Sequence, residues 1–163
     1  MFETAILLSQ VVTVFFLAAW LTTGVFENLI HASLNSTFTA EVLDMARMRE
    51  EYPEAYQDVA YRRISNPTVQ KNLFRLIVLW EVFAAAVLWV GCVALVTALL
   101  GLTDPDTARG LAVLGALAFT SVWAGFLVGG NWFCYWFCHE GAQNTHYQMT
   151  LWGLGTLILV SAG

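Results

Sequence analysis

Cys134, Cys138, His139, Glu140 and His146 stand within one short stretch and carry side chains able to ligate a metal. Thiolate and imidazole together suit zinc or copper, and His31 with His146 has the chemistry to hold a haem between helices. The spacing is less favourable than the residue types. Cys-x3-Cys-His is not a zinc spacing, and no Cys-x2-Cys-His haem attachment occurs. If the helix before them continues, Cys134 and Cys138 share one face about 6 Å apart with parallel side chains, which disfavours a disulfide. A metal or ligand site at these residues stands as the alternative reading, and no cofactor is expected. Cys92, alone in an apolar run, reads as a small buried hydrophobe.

Glu81 is the second chemically distinctive residue, because only it carries charge between Arg75 and Asp104. It lies about four residues inside Leu76, several Å below the surface of the apolar run. An ionisable group at that depth costs about 2–3 kcal/mol on insertion scales. It serves either as a hydrogen-bonded link between helices or in proton or ligand handling. Thr22, Thr23, Asn28 and Asn131 are the candidate partners at comparable depth, and Trp80 and Trp89 read as packing or interfacial anchors.

Ser121, Gly125 and Gly129 form a small-xxx-small-xxx-small ridge of the kind that lets a second helix backbone approach closely in lipid. The expected use is internal packing, with Ala18 and Thr22 as a facing surface. No nucleophile elbow, phosphate-binding loop, His-Glu-x-x-His or dinucleotide fingerprint is present, so no catalytic residue is assigned and the balance leans away from an enzyme.

These residues must be held by membrane helices. The chain has 163 residues, of which 58% are hydrophobic and 12% charged. A soluble domain carries about 25% charge. No charge falls between Glu3 and Glu27, between Arg109 and Glu140, or after Glu140. Each gap has room for the ~20 apolar residues that cross a bilayer. The reading is all-α: a four-helix transmembrane bundle forming one domain over 1–163, with spans at about 4–26, 73–100, 108–130 and 146–162. The first span lacks a basic leader and a small-residue cleavage site, so it is expected to be retained.

A polar, partly helical aqueous loop over 27–72 separates the first two spans and holds seven acidic and five basic residues. Thr39 is expected to cap a short amphipathic helix to Glu51, with Val42, Met45, Ala46 and Arg49 at helical spacing. Ser65-Asn66-Pro67 starts the second long helix. Asp104-Pro105-Asp106 makes a turn, with Thr107 as cap of the third. Trp132, Phe133 and Trp136 suit the headgroup level. Arg47, Arg49, Arg62, Arg63, Lys71 and Arg75 lie on the side of the large loop and only Arg109 on the other. The positive-inside rule then puts the loop in the cytoplasm.

Several of these segments together resemble the bacterial small integral membrane proteins grouped as domain of unknown function 2165. Phe26-x-Asn28-Leu29, Asn35, Phe38 and Val42-Leu43-x-Met45 are similar to that family's segment after the first helix. Tyr61-Arg62-x-Ile64-Ser65-x-Pro67, the helix-borne Glu81, and Gly125-Phe126 followed by Gly129-Gly130-x-Trp132-Phe133-x-x-Trp136 complete the likeness over nearly the whole chain. The chain departs from the pattern at Asn131, where members usually have Glu. It departs also at Gln70-Lys71 in place of a histidine pair, and at Glu140-Gly141-Ala142-Gln143 in place of Trp-Asn-Gly-Gln. Cys134 and Cys138 are not part of the pattern. The resemblance implies a cytoplasmic N-terminus and a periplasmic large loop, opposite to the charge count, and the orientation adopted follows it.

The expected function is that of a multi-pass protein of the bacterial inner membrane, a non-catalytic accessory or scaffolding subunit of a larger membrane complex. Its partners are the lipid bilayer and other membrane subunits. The acidic balance excludes nucleic acid. The alternative is a metal- or ligand-handling protein that uses Glu81 and the His/Cys cluster. A carrier working through Glu81 is a third reading, for which four short helices without an inverted repeat leave little room.

Overall fold

A computed structural model describes residues 1–162, and these are almost entirely helical. The elements are α1 (Phe2–Ile30), α2 (Ala32–Leu43), α3 (Ala46–Glu51), α4 (Pro53–Val59), α5 (Pro67–Leu99), α6 (Pro105–Trp132) and α7 (Glu140–Ser161). Single 3-10 turns at Ala60–Arg62 and Tyr135–Phe137 complete them. Three helices, α1, α5 and α6, are long and apolar enough to cross a membrane. In α7 the first two turns are polar, from Glu140 to His146, which shortens its apolar run.

Helix starts follow from local chemistry. Asn66 accepts from the backbone N–H groups of Thr68 and Val69 and Pro67 follows it, so α5 begins where its missing N–H is harmless. At α6 the cap is Asp104, which accepts from the backbone and hydroxyl of Thr107; Thr107 is thus the capped residue rather than the cap. Between them Gly101 takes φ +73°, and the N–H groups of Gly101 and Leu102 return to the carbonyls of Ala98 and Thr97. This is a Schellman closure, in which glycine supplies the left-handed residue.

The core runs between the long helices. Leu7, Val14, Leu17, Leu21 and Val25 of α1 are buried on one face, as their three- and four-residue spacing dictates. α5 and α6 pack closest. A Cβ added at Gly91 would stand 2.7 Å from Ala112 Cα, and one at Gly115 would stand 2.9 Å from Leu88 Cα. Close backbone approach therefore occurs at Gly91 and Gly115, in the half of the hairpin nearer the Gly101 turn. At Gly125 and Gly129 an added Cβ meets nothing within 4 Å. The ridge singled out in the sequence does not receive another helix of this chain, because α5 and α6 separate beyond the contact of Trp80 with Ser121.

The helix expected over Thr39–Glu51 is different in fact. α2 starts at Ala32, leaving Thr39 inside it, and breaks at Met45, which adopts φ +50° before α3. The break lets Asp44 accept from both Arg49, at 3.2 Å, and Arg63, at 2.7 Å. Ile64 N–H then donates to Leu43 O, and Gln70 to Ile64 O. The polar stretch is thus a folded unit. Met45 and Met48 pack with Cys134, and Tyr56 and Phe137 flank them, so the unit rests on the α6–α7 connection.

Candidate functional site

A cavity of about 620 Å³ fills the space that the diverging α5 and α6 leave. The end of α1 closes one side, α2 covers it with Phe38 and Val42, and Tyr135 and His146 close the far wall. Leu76, Trp80 and Gly125 line its margin and are exposed. Its volume is in the range of small-molecule sites, and its lining is mostly apolar and aromatic with a few polar groups.

Glu81 is the acidic residue of its lining and is 6% exposed. Asn28 Nδ2 donates to Glu81 Oε2 at 2.7 Å, and Asn35 Nδ2 donates to Asn28 Oδ1 at 2.7 Å. This chain of amides leads from the carboxyl group to the exposed surface of α2. Among the described residues Glu81 makes no ion pair. Trp80 Nε1 donates to Ser121 Oγ at 3.0 Å, and Trp89 Nε1 donates to Thr22 Oγ1 at 2.9 Å, so both indoles tie α5 to its neighbours. Asn131 lies elsewhere, in a shallow cleft with Trp136 and Glu140, and is not a partner of Glu81.

His146 packs against Phe126, Tyr135 and Trp123, with ring centroids 4.8, 6.0 and 5.7 Å away. Among the described residues His146 Nδ1, Tyr135 Oη and Trp123 Nε1 are buried without a hydrogen-bond partner. Gly130 accommodates this wall, since an added Cβ there would stand 2.6 Å from the Tyr135 ring. Phe38 and Phe126 entered the sequence reading only through the family likeness, and Trp123 and Tyr135 were assigned no role in a site. Their signal was available in the hairpin register, which sets Trp80 beside Ser121 and so brings the following turns of α6 against the preceding turns of α5.

The metal-like residues do not converge. Among the described residues no three His, Cys, Asp or Glu side chains group as a metal site. Helix α6 stops at Trp132, and Cys134 takes φ +54°, so Cys134 and Cys138 are not on one continuous helix face. Cys134 Sγ accepts from Arg62 Nη1 at 3.6 Å, and Arg62 lies over the Trp132 ring, 4.9 Å from its centroid. Burial pushes the Cys138 thiol up, with Glu51 adding to the effect. His139 is 8% exposed and edge-on to Phe38, and burial lowers its imidazole below the ordinary range. His31 is exposed at the end of α1. Trp132 and Trp136 are exposed and Phe133 half-buried, an aromatic rim suited to a membrane border.

No curated protein and no solved structure matches the chain. One family model does, that of the predicted small integral membrane proteins called domain of unknown function 2165, over residues 6–162. The match spans the helices, the Asn28–Glu81 pair and the cavity walls alike, and the chain belongs to this family of small integral membrane proteins.

Proposed function

We propose that this small integral membrane protein crosses the bacterial inner membrane four times and holds a membrane-soluble, amphipathic ligand in the cavity at Glu81. The observation that carries the reading is the cavity itself: a space of ligand size, floored by a buried carboxyl group and walled by rings. A half-open cleft of about 620 Å³ between helices offers an occupant contacts on several sides at once. The exposed margin at Leu76, Trp80 and Gly125 gives access from the bilayer. In α7 the outward residues Tyr147, Leu151, Leu154 and Ile158 are apolar and exposed, which supports a fourth crossing. The test is extraction of molecules that co-purify in mild detergent. The wild-type chain is expected to retain a defined small molecule that Gly125→Leu, which adds bulk at the margin of the cavity, loses. Identical extracts from both chains would overturn the reading.

A second reading, a non-catalytic accessory subunit of a larger membrane complex, draws on the bare backbone of Gly125 and Gly129. Such a surface accepts a partner helix at close range. Co-purification of a stoichiometric partner supports it, and migration as a free small protein after mild solubilisation counts against it.

A further inference from the structure

We infer that the occupant of the Glu81 cavity is a lipophilic organic cation, an amine or onium ion carrying apolar substituents; this rests on the reading of the cavity as a ligand site. The charge balance of the lining is the first reason. Glu81 is the acidic residue of the lining, and no lysine or arginine shares it. The polar contact made to Glu81 comes from the neutral amide of Asn28. A buried carboxyl group gains a charge pair from a cation set against it, which a neutral or anionic head cannot supply.

The rings are the second reason. Phe38, Trp80, Trp123, Phe126 and Tyr135 line the same space. Aromatic faces attract a desolvated cation through their quadrupoles, and such cages with a nearby carboxylate recognise ammonium-type ions. The apolar balance of the walls requires that the rest of the ligand be greasy. The third reason is access, since the exposed lining residues Leu76, Trp80 and Gly125 stand on α5 and α6, helices long and apolar enough to cross a membrane.

The test titrates tetraphenylphosphonium and the size-matched anion tetraphenylborate into the full chain in a neutral detergent, read by tryptophan fluorescence and equilibrium dialysis. Saturable binding of the cation at least tenfold tighter than that of the anion is expected. Glu81→Gln keeps the acceptor for Asn28 and removes the charge, and is expected to weaken the cation at least tenfold. Phe126→Leu, which retains Glu81, is expected to weaken it severalfold and serves should Glu81→Gln not fold. Equal binding of cation and anion, or equal cation binding by wild type and Glu81→Gln, overturns the inference. Saturable binding of neutral triphenylphosphine oxide without binding of the cation overturns the charge assignment while the cavity stands as a ligand site. Absence of saturable binding by any of the three probes overturns both.

Discussion

Asn28 holds Glu81 with a single hydrogen bond of 2.7 Å, and both residues are buried. Removing one partner leaves the other unsatisfied at a cost of about 1–3 kcal/mol, whereas replacing both by apolar groups of similar shape is nearly neutral. Asn28→Leu is therefore expected to lower the melting temperature in detergent, and Asn28→Leu combined with Glu81→Met to recover most of the loss. A double variant as unstable as the single one would show that Glu81 has other anchors. His139 gives a pH-dependent counterpart outside the spans. Burial holds its folded imidazole below the ordinary value, with Glu41 opposing. The unfolded chain therefore takes up the proton first as pH falls, and the native state is fully favoured only above about pH 6.5. Melting temperature is expected to decline as pH drops from about 6.5 toward 5, and His139→Phe, which keeps the ring against Phe38, to decline less steeply. A variant profile that parallels the wild type would assign the acid sensitivity to other groups.

At the scale of elements, the two glycine pairs on the α5–α6 hairpin separate packing from cavity. Gly91 and Gly115 face backbone atoms that cannot move aside, so a larger side chain forces the helices apart. Gly91→Leu is expected to destabilise by about 1–3 kcal/mol or to prevent folding. Gly129→Ala, facing open space, is expected to hold thermal stability or raise it by up to about 1 kcal/mol, since alanine favours the helix. Equal effects at the two positions would mean that the helices do not diverge. The sequence makes the spans legible because charge is scarce in each for a physical reason, and the Asn66-Pro67 start because proline loses nothing at the first helical position. It misleads on the ridge, since the Ser121-Gly125-Gly129 pattern is conspicuous whereas the buried seam on α6 is Ala108, Ala112 and Ala116 beside Gly115. That seam has the same four-residue spacing, but alanine is so common in helices that the pattern draws no notice. The breaks at Met45 and Cys134 were not legible either. Both residues are non-glycine at positive φ, and both are buried in one cluster with Met48, a long-range contact that local sequence does not announce.

The whole molecule is closed at the end opposite the cavity by Arg109, which pairs with Glu3 of α1 and Asp106 of α6 and donates to Gln10. Gln10 in turn donates to the carbonyl of Leu159 at 3.0 Å. The last turns of α7, the start of α1 and the α5–α6 turn therefore meet at one end, while His146 and the folded polar unit lie at the other. If α7 crosses the bilayer, both chain ends and the turn share a compartment. Single cysteines at Thr103 and Ala162, in a chain with Cys92, Cys134 and Cys138 replaced, are expected to react with an impermeant thiol reagent from the same side, and one at Asp58 from the other. Opposite labelling at 103 and 162 would remove the fourth crossing. The same experiment decides orientation, on which charge and family likeness disagree. Positive-inside bias is set by basic residues within about 15–20 positions of a span, so Lys71 and Arg75 weigh in it while Arg47 sits at the limit of the range from α1. With the N-terminus in the cytoplasm, intact cells label Asp58→Cys alone; labelling of Thr103→Cys and Ala162→Cys instead would make the local charges, rather than the shared topology, the determinant of insertion.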